Sequence, residues 1–66
     1  MYAKLTPWEM TSILYASGVR LEAEIHDGDM KYEILSSPLG YVYRVTHKRN
    51  AAGVFTPVAV EKEVKE

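Results

Sequence analysis

The sequence predicts an α+β fold: one N-terminal helix packed on an antiparallel three- to four-stranded β-meander, in the order α-β-β-β-β. Three observations predict it. A stretch from Thr6 to Gly18 has a helix start signal, a stop signal and helical spacing between them. After Val19 the apolar residues switch to every second position. Turn-forming clusters then divide the remainder into short runs.

The helix starts at a capping box. Thr6 stands at the N-cap, Pro7 at the first helical position, and Glu9 three residues after the cap. Leu5 and Met10 fall where a hydrophobic staple forms. Met10, Ile13, Leu14 and Ser17 make one stripe, extended by Ala16, with Trp8 and Tyr15 on its flanks. Gly18 suits the left-handed residue that closes a helix, and Val19 is expected to pack back on Leu14.

The first strand after the helix is Arg20 to His26, and the next is Met30 to Leu35. An Asp27-Gly28 turn of type I′ joins them, which pairs Ile25 with Met30, Ala23 with Tyr32, and Leu21 with Ile34. A loop over residues 37–40 leads to a third strand, Tyr41 to His47. This register sets Ile34 against Tyr43, Tyr32 against Val45, and Glu33 against Arg44, which also neutralises Glu22 across from Glu33. The helix then covers Leu21, Ala23, Ile25, Tyr32, Ile34, Tyr43 and Val45. Residues 47–53 read as a longer connection. Val54 to Val60 is a fourth strand, confined to an edge or a bulge by Pro57. Residues 61–66 read as a charged, frayed tail of a single domain spanning 1–66.

Composition narrows the function classes. With 66 residues and no cysteine, the chain has neither disulfides nor thiolate chemistry to stabilise a small core. Tight packing or self-association, as a homodimer, must supply that stability. The formal charge of −1, with acids and bases interleaved, lacks the basic excess of a DNA-coating protein. No apolar run marks an export signal or a membrane span, so the expected location is the cytoplasm.

The candidate constellations are few. His26, Asp27, Asp29 and His47 are metal-binding types, but strand alternation sets the two histidines on opposite faces, so no metal or cofactor is expected. The carboxylates alternate with bases on an open sheet, which argues against an enzyme and a small-molecule substrate. Leu35 and Val42 fall opposite each other on the outer side of the meander, where Phe55 enlarges them into an apolar patch with Arg44 at its rim. The leading expectation is therefore a non-enzymatic protein-binding module acting through its sheet face or edge. An inhibitor or accessory factor of the kind mobile elements encode is the context its size suggests. The alternative is a small nucleic-acid-binding regulator using Arg20, Lys31, Arg44, Lys48 and Arg49 on the open face and the 47–53 loop.

Overall fold

A computed structural model describes residues 1–64. Its elements are β1 (Tyr2–Lys4), α1 (Pro7–Leu14), β2 (Arg20–Asp27), β3 (Met30–Ser36), β4 (Val42–Arg49) and β5 (Phe55–Glu63). The strands form one antiparallel sheet in the order β1-β5-β4-β3-β2. The α+β class is as the sequence predicts, with five strands rather than three or four. The extra strand is β1, which pairs Tyr2 with Glu63 and Lys4 with Glu61. That pairing draws Glu61, Lys62 and Glu63 into β5 instead of a frayed tail; residues 65–66 lie outside the described residues.

The helix begins as expected and ends early. The Thr6 hydroxyl accepts from the Glu9 amide at 3.3 Å, and the Glu9 carboxylate accepts from the Thr6 amide at 3.1 Å, closing the capping box. The helix stops at Leu14 with Tyr15 as its C-cap, so Ala16 and Ser17 are exposed and do not extend the stripe. The hydroxyls of Thr11 and Ser12 donate to the carbonyls of Pro7 and Trp8, at 3.0 and 3.2 Å, and such back-bonding weakens helical hydrogen bonding. Gly18 is left-handed, with φ of 81°, but it serves the turn into β2 rather than the helix end. A Cβ there would come within 3.2 Å of the Pro38 ring. Leu5, Met10, Ile13 and Leu14 pack with Leu35 against Tyr43, Val45 and Val60, the buried apolar side chains among the described residues.

The first hairpin turns at Gly28-Asp29, one residue later than Asp27-Gly28. Gly28 alone there has a positive φ, 59°, so the glycine takes the first central position, as in a type II′ turn rather than type I′. Ile25 therefore faces Tyr32 and Ala23 faces Ile34. The displacement is two places along the partner strand, so residues expected on one face still share it. A register shift at Glu22 then brings Leu21 opposite Leu35.

The second hairpin departs by one residue, and that matters more. Its loop is Pro38-Leu39-Gly40, closed by the Ser37 amide donating to the Tyr41 carbonyl at 2.9 Å. The Ser37 hydroxyl accepts from the Tyr41 amide at 3.1 Å, and Gly40 has φ of 87°, the left-handed residue that three-residue hairpins require. Ile34 consequently faces Arg44, Glu33 faces Val45, and Leu35 faces Tyr43. A one-residue slip reverses the faces of one strand relative to the other. Ala23, Ile25, Tyr32 and Ile34 thus leave the helix side, where Tyr43 and Val45 remain.

At the far end, β4 runs on through Arg49, so the expected 47–53 connection shrinks to a tight loop. The Asn50 side-chain oxygen accepts from the amides of Ala52 and Val54 at 2.9 and 3.1 Å and holds that loop shut. Pro57 lies at a bulge, where the β4–β5 register shifts between Thr46 and His47, one of the two settings its missing donor allows.

Candidate binding face

Cross-strand partners share a face, so the ladders assign each paired strand side chain, with Glu22 and Val58 unpaired at the two register shifts. On the helix side, α1 covers one end only. The uncovered end carries Glu24, His26, Lys31, Glu33, His47 and Phe55. Phe55 is the hub of this end: the Lys31 ammonium stands 5.4 Å and the Arg49 guanidinium 5.0 Å from its ring, with His26 edge-on at 5.9 Å.

His26 and His47 flank Lys31 on one face, contrary to the opposite faces expected from the sequence. His26 bonds Glu24 at 2.8 Å, His47 lies against Glu33, and the Lys31 ammonium sits 3.9 Å from Glu24. Among the described residues, no three histidine or carboxylate side chains are grouped to hold a metal ion. His47 is buried; its approach to Glu33 lacks hydrogen-bond geometry, so both ring nitrogens go without a hydrogen-bond partner. Glu33 therefore faces Glu24, not Glu22, and lies against His47 rather than Arg44.

The expected apolar patch does not assemble. Leu35 turns to the helix and joins the core, Val42 lies on the opposite face beside Ser36, and Phe55 is at the far end of the helix side. Arg44 is with Val42 on the open face. The expected basic surface is divided as well. Arg20, Arg44 and Lys48 belong to the open face, and Lys31 and Arg49 to the helix side. The one-residue difference in the second hairpin turns Leu35 and Lys31 to the helix side, the β2 register shift at Glu22 keeps Arg20 on the open face, and the β4–β5 ladder places Phe55.

The same slip builds a different surface. The open face presents Ala23 and Ile25 from β2, Tyr32 and Ile34 from β3, and Val42, Arg44 and Thr46 from β4. Tyr2, from β1, completes it. Ile25, Tyr32, Ile34, Tyr2 and Arg44 line a shallow hollow of about 390 Å³ to which both edge strands contribute. Arg44 is its fixed polar element. Its Nε and Nη2 donate to one Glu61 oxygen at 3.1 and 2.7 Å, and its guanidinium lies 4.4 Å from the Tyr2 ring centre. That pair settles the charge at the middle of the face and leaves an apolar stretch of Ala23, Ile25, Tyr32 and Ile34 beside it, with Arg20 and Asp27 at its two ends.

Sequence reasoning missed Ile25, Tyr32 and Ile34 as surface residues. The signal that finds them is Gly40: a glycine closing Ser-Pro-Leu-Gly supports a three-residue loop ending in a left-handed residue. Counting from that loop puts Tyr32 and Ile34 opposite Thr46 and Arg44. Among the described residues, no helix is long and apolar enough to cross a membrane. The chain matches no known protein family, and no curated protein or solved structure shows detectable similarity to it.

Proposed function

We propose that the protein is a non-enzymatic binding module of the cytoplasm whose open sheet face takes up another protein surface. One observation carries this. The single helix covers one side of the sheet, and the other side holds Ile25, Tyr32 and Ile34 in a row with no described element over them. An apolar stripe with a polar rim is the anatomy of an interface, with aromatic and isoleucine side chains as its anchors. An inhibitory or accessory role fits that mode of action, since the module works by occupying a partner's surface.

The test is site-specific photo-crosslinking of the full chain in its native host. A benzophenone amino acid at position 32 should capture a discrete protein adduct; the same group at position 8, an exposed site on the helix, should not. Ile25→Asp in the position-32 variant should reduce the adduct at least tenfold. Capture from position 8 alone contradicts the assignment.

A second reading has its own observation. Tyr2 and Tyr32 border Arg44 on an open sheet, an arrangement on which single-stranded bases stack. Glu61 neutralising Arg44 and the division of the basic residues between two faces weigh against it. Binding to a mixed-sequence oligonucleotide that weakens steeply with salt would favour this reading; no binding at low salt removes it.

A further inference from the structure

Resting on the reading that the open face binds protein, we infer that its occupant is a second copy of this chain. The two sheets pack face to face about a two-fold axis that runs across the strands. The face is laid out in rows, each made of cross-strand partners. One end row contains Glu63, Val42, Ser36 and Arg20, and the opposite end row contains Thr56, Lys48, Met30 and Asp27. Between them lie a row with Glu61, Arg44, Ile34 and Ala23, and a row with Ala59, Thr46, Tyr32 and Ile25.

An axis across the strands, between the two middle rows, sets each strand over its own copy in the reverse direction. The two end rows then meet each other, and so do the two middle rows. Arg20 falls over Asp27 of the second copy, while Val42 and Glu63 fall over Lys48 and Thr56 of the second copy. Ile34 meets Tyr32, and the small Ala23 meets the large Ile25. An isologous interface needs this self-complementarity, because each contact is made twice. An axis along the strands fails the same test. It lays the apolar stretch of β2 and β3 over the half of the second copy that bears Glu61 and Glu63.

Size and core agree. The two larger extents of the molecule, 36 and 22 Å, bound a rectangle of roughly 800 Å², the outer limit of the face and the scale each partner contributes to a standard stable interface. The chain itself buries only Tyr43, Val45 and Val60 among its described apolar side chains, a small core for 66 residues without disulfides. Face-to-face packing gives Ile25, exposed at 53 %, and its neighbours the second layer that sheets of this kind require.

Sedimentation equilibrium of the full chain tests the pairing. A dimer is expected for the wild type, and Ile34→Glu should weaken it more than a hundredfold. Mixed-label NMR reports independently of any variant: intermolecular contacts are expected between Ile34 methyls and the Tyr32 ring. Charge exchange tests the axis. Arg20→Asp should weaken the dimer several-fold, and adding Asp27→Arg should restore it. A wild type that stays monomeric at millimolar concentration overturns the second copy as occupant. The binding-face reading survives that result if the position-32 crosslink traps a protein of another mass, and falls if it traps nothing. A dimer whose intermolecular contacts map to Trp8 and Tyr15, or in which the double charge exchange restores nothing, overturns this geometry.

Discussion

Thr6 and Glu9 satisfy each other's backbone amides at the start of the helix, and the consequence reaches proton affinity. The Thr6 amide donating to the Glu9 carboxylate holds that carboxyl below its ordinary value of 4.5, the Thr6 hydroxyl adds to the effect, and Lys62 contributes a smaller pull against slight desolvation. A carboxyl whose affinity for protons falls on folding contributes stability that is fully present above its unfolded value. That contribution disappears as pH drops through the lowered folded value. The informative quantity is the difference between wild type and a Glu9 variant. Wild type should melt above Glu9→Gln at neutral pH. The gap should narrow as the pH falls below 4.5, read from paired thermal melts across an acid series. A gap that stays constant to low pH contradicts the carboxylate's role.

At the scale of elements, the β3–β4 hairpin decides which residues are core. Its three-residue loop sets Leu35 against Tyr43 and Glu33 against Val45, and α1 then closes over Leu35, Tyr43 and Val45. One glycine inserted between Leu39 and Gly40 lengthens the loop to four residues and favours the opposite register. To keep Tyr43 and Val45 inside, β4 must bulge; to keep the ladder regular, it must turn Arg44 toward the helix. Either outcome should cost about 2 kcal/mol or more, a fall in Tm on the order of 10 °C for a chain of this size. The same insertion in the 50–54 loop, whose strands already absorb a bulge at Thr46/His47, should cost less than about 1 kcal/mol. Equal losses at the two loops would show that register is not what the first loop controls.

The hairpin also marks how far the sequence was legible. The helix start was legible because Thr6, Pro7 and Glu9 act within one turn. The strands were legible because alternation is local to each run. Which faces coincide is a sum over loop lengths, and an error of one residue in one loop inverts everything beyond it. Placing the β2–β3 turn at Asp27-Gly28 shifted partners by an even step and left shared faces intact. A loop over residues 37–40 differs from the observed pairing by an odd step, and sets Tyr32 and Ile34 in the core where the structure has them on the open face. Strand β1 was illegible for another reason: Tyr2-Ala3-Lys4 is too short to show a period, and its partners carry charges that read as a tail.

For the whole molecule, the balance between its sheet faces sets how stability responds to concentration. A chain that folds and associates in one step unfolds with the enthalpy of two chains. At about 0.7 kcal/mol per residue near the melting temperature, that is on the order of 90 kcal/mol for two such chains. Mass action then raises Tm by roughly 5 °C for each tenfold increase in protein, while a monomer melts at the same temperature at every concentration. Calorimetry from micromolar to millimolar protein should trace that slope for the wild type. Ile34→Glu should melt lower and without concentration dependence, because the helix-side core of Tyr43, Val45 and Val60 is untouched by the substitution while the second layer is gone. A wild-type Tm independent of concentration would mean that this small core suffices alone. The open face would then be held in reserve for a partner of another kind, and its apolar row would serve binding rather than folding.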